Sequence, residues 1–218
     1  IYIRGEFYHV QKQLEAELAK ARAAGYIGKN ILGTGVNCDI WVHRGAGAYE
    51  VGEETALIES LEGKRAQPRL KPPFPAVVGL YGCPTVVNNV ETICNVPVII
   101  DKGAEWYAAI GPEKNAVPKL FCVSGHVKKP GVFEAPMSIT LRELIYDYAG
   151  GIKGDRQLKA VIPGGSSVPV ILPDKLDTPA SFDGLVAAGS MLGSAAIMVM
   201  DETTDMVWLA KNLIHFYK

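Results

Sequence analysis

The stretch VQKQLEAELAKARAA, residues 10–24, is rich in alanine, leucine, glutamate and lysine, the composition of a surface helix, and Gly25 follows it as a stop signal. Before it, Ile1-Tyr2-Ile3 reads as a strand; after it, Ile40-Trp41-Val42-His43 reads as a second short strand. Strand, helix and strand within about 45 residues form a βαβ unit, which requires parallel pairing with a helix lying over the sheet. The first third is therefore expected to belong to an α/β domain.

Beyond the second strand, Gly45-Ala46-Gly47 is a glycine-rich turn feeding a short helix over residues 52–62, stopped by Gly63. Pro68, Pro72, Pro73, Pro75 and Pro84 force the next stretch into an ordered, non-helical loop, and loops of that length are usually functional. A helix over 89–102 follows, with Asn88 placed to cap it. From residue 119 the texture changes. Residues 121–127 and 131–134 read as two strands of a hairpin joined by Lys128-Lys129-Pro130-Gly131. Thr140 and Glu143 form a capping box for a helix over 140–149, ended by Gly150-Gly151, and residues 159–162 and 195–200 supply two more strands. Hairpin, helix and further strands predict a compact α+β module resembling a β-grasp, with the domain boundary at residues 115–118. A last helix over 203–217 carries an apolar stripe that needs something to pack on.

With 48% hydrophobic and 21% charged residues the chain has ordinary globular composition, which excludes disorder. Basic and acidic residues nearly cancel to a net charge of −1, leaving no electrostatic footprint for nucleic acid or anionic lipid. No window approaches the roughly 18 uninterrupted apolar residues of a membrane span, so direct insertion is not expected. Cys38, Cys83, Cys94 and Cys122 match no metal-ligand spacing, and His9, His43, His126 and His215 are scattered; the expectation is semi-buried reduced thiols and no metal site. A strand at residue 1 and an uncapped helix at Lys218 lead us to expect truncation at both ends.

Among residues that could carry chemistry, Glu53 and Glu54 fall in the expected first turn of a helix, where the dipole alone explains them; a carboxylate there could also orient a nicotinamide beside a redox ring. Arg69-Leu70-Lys71-Pro72-Pro73-Phe74-Pro75 sets two cations and an aromatic ring on a stiffened loop, suited to phosphates and a stacked base or simply to a solvated surface. Asn88 and Asn89 could bond phosphate or ribityl hydroxyls, or cap a helix. Pro163-Gly164-Gly165-Ser166-Ser167 is a turn or a phosphate nest.

Read in order, Gly45–Tyr49, Gly52-Glu53-Glu54-Thr55-Ala56-Leu57-Ile58-Glu59-Ser60-Leu61-Glu62-Gly63, the Pro68–Pro75 loop, Asn88-Asn89-Val90-Glu91-Thr92, Ser124-Gly125-His126-Val127 and Ile214-His215-Phe216-Tyr217-Lys218 together resemble the flavoprotein subunit of respiratory complex I along essentially the whole chain. The resemblance implies a partial Rossmann-like FMN-binding domain over residues 1–115, a ligand-binding β-grasp-like (SLBB) module over 116–201, and over 202–218 the first helix of a bundle holding a 4Fe-4S cluster whose ligands lie outside this chain. It further implies FMN lined by Gly52, Glu53, Glu54, Asn88 and Asn89, with Glu54, the candidate catalytic residue, facing the nicotinamide of NADH, and Tyr49, Lys71 and Phe74 around the NADH, Phe74 stacking on adenine. Hydride would pass from NADH to FMN, and electrons would leave singly for iron–sulfur clusters and a quinone. The implied partners are the other subunits of the NADH dehydrogenase complex, including a small thioredoxin-like 2Fe-2S subunit; the implied location is the cytoplasmic face of the inner membrane, held peripherally. Diaphorase subunits of NAD-linked formate dehydrogenases or hydrogenases, and a non-catalytic docking module, are the alternatives. One departure stands out: Glu50-Val51 replace the family's usual Ile-Cys, adding a third carboxylate before Glu53.

Overall fold

The computed structural model describes residues 1–218, which divide into two compact units, Ile1–Ile93 and Cys94–Lys218. The first opens on β1 (Tyr2–Ile3), crosses through α1 (Tyr8–Ala23) and returns as β2 (His43–Arg44) parallel to β1, with Tyr2 opposite His43 and Ile3 opposite Arg44. α1 ends because Gly25 takes φ +75°, which lets its own amide reach the Arg22 carbonyl and the Tyr26 amide reach Ala21. The helix buries none of its side chains. β2 begins later than the sequence predicts. The reason is local: the Asp39 carboxylate accepts from the Ile40 amide and the Arg22 guanidinium donates to the Ile40 carbonyl, so Ile40 is tied to the end of α1.

The turn after β2 needs glycine. A Cβ on Gly5 would stand 2.4 Å from the Gly45 oxygen, and one on Gly45 would strike the Tyr2 hydroxyl at 2.6 Å, so the two strand ends approach as only bare backbone allows. A helical turn at Tyr49–Gly52 leads into α2 (Glu54–Leu61), which with Val51 buries Thr55, Ala56 and Ile58. The proline-rich loop that follows is ordered, with one short turn at Leu80–Gly82. α3 (Val90–Lys102) starts in the first unit and runs into the second. Its cap is Asn89, whose side chain accepts from the Glu91 amide at 2.7 Å; Asn88 does not fill that role.

In the second unit α4 (Ala104–Ala108) precedes the hairpin β3 (Pro118–Gly125) and β4 (Gly131–Pro136), antiparallel with Phe121 opposite Phe133. The capping box forms at α5 (Leu141–Glu143), where Thr140 and Glu143 satisfy each other's amides. The helix does not continue regularly to residue 149: its ladder widens to i→i−5 over Leu144–Tyr148, as in the bond from the Ala149 amide to Leu144, and Gly150 and Gly151 leave it at positive φ. Then come β5 (Leu158–Ile162), α6 (Phe182–Ala187), β6 (Ala196–Asp201) and α7 (Met206–Phe216), which starts at residue 206 because the Asp205 carboxylate caps it through the amides of Val207 and Trp208.

The sheet order is β4-β3-β6-β5, with β6 parallel to β3 and antiparallel to β5. This mixed sheet buries alternate residues on each face. Phe121, Val123, Ile197 and Val199 point into a core completed by Leu144, Ile145 and Leu185, whereas Ala160, Ile162 and Met200 face α7 and its Met206, Leu209 and Leu213. All four cysteines are exposed free thiols, against the expected semi-burial; Cys122 sits on the outward face of β3 between buried Phe121 and Val123. No helix of the chain is long and apolar enough to cross a membrane.

Candidate functional site

The first unit holds a cavity of about 620 Å³ whose walls come from separate segments: Tyr2 of β1 and Arg4 just past its carboxyl end, residues 48–53 entering α2, Leu57 of α2, and Val87, Asn88 and Asn89 before α3. The carboxyl ends of parallel strands are where α/β sheets place ligands, because the strand-to-helix loops diverge there and leave a crevice. Tyr49, Gly52, Glu53, Asn88 and Asn89 are thus brought together, although the last two are separated from the others by the whole proline loop. Tyr49 is 85% exposed at this edge.

Glu53 is the N-cap of α2 and not, as the sequence predicts, part of its first turn. Its Oε2 accepts from the amides of Thr55 (2.8 Å) and Ala56 (2.9 Å) and from the Thr55 hydroxyl (2.5 Å), while its Oε1 accepts from Lys71 Nζ at 2.9 Å. Burial works against its ionisation, but the Thr55 hydroxyl, Lys71 and the two helix-end amides outweigh it and hold the carboxyl down at about 2. Glu54, the first residue of α2, accepts from the same ammonium at 2.7 Å. Lys71 is raised by its bond to Glu54 first and to Glu53 second, against the effect of desolvation. The three side chains form one fixed cluster with a single net negative charge at the cavity's edge.

Phe74 stands apart. It is 58% exposed on the proline loop and does not line the cavity. Arg69, offered by the sequence as a phosphate-binding cation, is committed elsewhere: it donates to Glu59 at 2.5 Å, Glu62 at 2.9 Å and the Gly79 carbonyl at 3.1 Å. Of the Glu50-Val51 pair, Val51 is buried beneath the helical turn and Glu50 lines the cavity, so the extra carboxylate does face the site. Sequence reading overlooked Tyr2, Arg4, Leu57 and Val87 as cavity walls. The available signal was the β1 strand itself, since Arg4 is the residue immediately past its carboxyl end.

The chain is mixed α/β: residues 1–98 match the family described as the Nuo51 FMN-binding domain, and residues 119–199 match the SLBB domain. Over its whole length the chain is 56% identical to the NADH-quinone oxidoreductase F 2 subunit of Rhizobium meliloti (strain 1021) across 217 residues, covering 52% of that protein. It is 53% identical to the NADH-quinone oxidoreductase F subunit of Mycobacterium bovis (strain ATCC BAA-935 / AF2122/97) across 218 residues, covering 49% of it. The chain is similar to these F subunits along its whole length, and it spans about half the length of the curated relatives it matches. Among solved structures, a chain of the NAD+-reducing NiFe-hydrogenase in the air-oxidized state superposes with a TM-score of 0.80 at 37% identity, covering 99% of this chain and 35% of that one.

Proposed function

We propose that this chain is the flavin- and dinucleotide-binding part of an NADH dehydrogenase, taking a hydride from NADH onto FMN and passing electrons singly to iron–sulfur clusters and finally a quinone. The observation that carries it is the cavity joining Tyr49, Gly52, Glu53, Asn88 and Asn89, with Glu54 and Lys71 locked beside it. The donor set suits a flavin: about 620 Å³ lies within the range of small-molecule sites, Val51, Leu57 and Val87 offer apolar walls, two side-chain amides offer donors and acceptors, and Gly52 has nothing within 4 Å of a built Cβ, which leaves open space beside the backbone. When bound there, FMN supplies two-electron acceptance from NADH and one-electron release.

The chain's own residues bind and orient. Asn88 and Asn89 hold polar groups of the flavin, Glu53 keeps its charge at any physiological pH, and Glu54 faces the nicotinamide end of NADH and disfavours negative charge building up beside it. Lys71 offsets the two carboxylates, so the site is mildly and not strongly anionic. Tyr49 borders the NADH, and Phe74, on an exposed part of its loop, stacks on adenine. The domain reading is a partial Rossmann-like domain over 1–115, a β-grasp-like module over 116–201 and a helix of a cluster-binding bundle over 202–218. The partners are the other subunits of the complex, including a small 2Fe-2S subunit, and the location is peripheral on the cytoplasmic face of the inner membrane. The likeness to the NAD+-reducing hydrogenase favours one second reading, a diaphorase subunit with the same site chemistry and a different electron acceptor.

The test is the absorbance spectrum of the anaerobically purified full-length protein before and after NADH. Flavin bands that bleach on NADH addition are expected; a colourless protein that takes up no added FMN overturns the reading in favour of a non-catalytic docking module.

A further inference from the structure

The Arg69 side chain makes three hydrogen bonds close to the site, yet nothing in the proposed chemistry uses it. Its backbone amide donates to the Thr55 hydroxyl at 2.8 Å, and its guanidinium reaches Glu59 and Glu62 through two different nitrogens and the Gly79 carbonyl through the third. Thr55, Glu59 and Glu62 are spaced i, i+4 and i+7, which places them on one face of the α2 helix and its last turn. Arg69 therefore lies along that face like a splint, bolted by its backbone at the start and by its side chain at the end. The return strand of the loop is fastened to the same carboxylate, because the Tyr81 amide donates to Glu62 at 2.8 Å. Two residues further along the loop comes Lys71.

The upper bolt is shared with the site. The Thr55 hydroxyl that accepts from the Arg69 amide is the one that donates to Glu53, and Thr55 itself is 1% exposed. A displacement of Arg69 would consequently be felt at both ends of the Glu53–Lys71–Glu54 cluster.

We propose that Arg69 is a positioning residue for the dinucleotide site: its three-point attachment along α2 fixes the proline loop so that Lys71 bridges Glu53 and Glu54. The proposal rests on the flavin–NADH reading given above. Lysine cannot replace it, because a single ammonium lacks the planar fork that serves two carboxylates and a carbonyl from three nitrogens. With its charge met by Glu59 and Glu62, Arg69 does not serve as a phosphate ligand. Lys64, at 2.7 Å from Glu62, completes a charge-balanced group of four.

The experiment uses the full-length flavin-loaded protein, with Arg69→Lys and Glu59→Gln each made in the parent and in a Lys71→Met background. NADH dissociation constants and flavin content are measured for all. Arg69→Lys is expected to weaken NADH binding by roughly tenfold with flavin content unchanged, and that loss is expected to vanish when Lys71 is already gone. Glu59→Gln, which keeps the splint's other attachments, should show a smaller loss with the same dependence on Lys71. Additive losses in the Lys71→Met background, an NADH affinity untouched by Arg69→Lys, or flavin content falling in step with NADH affinity would each overturn the positioning role. A parent protein that binds neither flavin nor NADH overturns the proposed function instead, before any variant is compared.

Discussion

The two units are held together by different physics. In Cys94–Lys218 the sheet and its helices close over a continuous apolar core containing Phe121, Leu144, Ile145, Leu185 and Ile197, all fully buried. In Ile1–Ile93 the buried apolar residues are Val51, Ala56, Ile58 and Pro75, α1 contributes none, and Leu70 is 92% exposed. What fixes that unit is directional: the Glu53–Lys71–Glu54 cluster, the Arg69 splint, the Arg22–Asp39 pair and glycines at the closest backbone approach. Apolar burial stabilises without specifying positions to a fraction of an ångström, whereas charge-assisted bonds lose strength steeply with misplacement. The unit that carries the candidate site is the one that relies on the second kind of force.

The sharpest way to break that contrast is to cut the apolar core. Leu144→Ala removes a fully buried side chain and is expected to destabilise the second unit by about 2–5 kcal/mol, read as a shift in denaturant midpoint with residues 94–218 monitored. NADH affinity of the molecules that remain folded should not change. A loss under about 1 kcal/mol would mean that the core is looser than its burial implies.

Next in size is a change confined to the exposed loop. Phe74→Ala should leave stability nearly untouched, since the ring is 58% exposed, and weaken NADH binding by about 1–3 kcal/mol if it stacks on adenine, on the scale of base–aromatic stacking. An unaltered dissociation constant would remove Phe74 from the site.

These two variants mirror what was legible in the sequence. Elements governed by neighbouring residues came through: α1 with its Gly25 stop, the β3–β4 hairpin, and the Thr140–Glu143 capping box. So did the alternation that buries Phe121 and Val123. Errors arose where a distant residue intervenes. Residues 40–42 look like strand by composition, but the Ile40 carbonyl is taken by Arg22, some 18 positions away; Arg69 looks like a free cation and is taken by Glu59 and Glu62. The choice between Asn88 and Asn89 as cap is one that two identical neighbouring side chains cannot report; the structure gives it to Asn89. Cavity walls such as Tyr2 and Arg4 carry no motif, only a position at a strand end.

The smallest expected effect tests the directional side of the comparison at its centre. Glu53→Gln keeps the size of the N-cap side chain and loses its charge, so α2 should lose about 1 kcal/mol of local stability at neutral pH, seen as faster hydrogen exchange at the Thr55 and Ala56 amides. The pH dependence has a definite sign. In the folded chain the Glu53 carboxyl sits at about 2, below its ordinary 4.5, so its contribution is fully present above about 4.5 and is lost as pH falls through about 2. Parent and variant should therefore differ most above pH 5 and converge between roughly pH 4.5 and 2. Glu62, likewise held at about 2 by Lys64, the Tyr81 amide and Arg69, loses its hold on the loop over the same window. If parent and variant instead converged as pH rose, the charge on Glu53 would be a burden that the fold carries for the site, and the cluster's placement would owe nothing to capping.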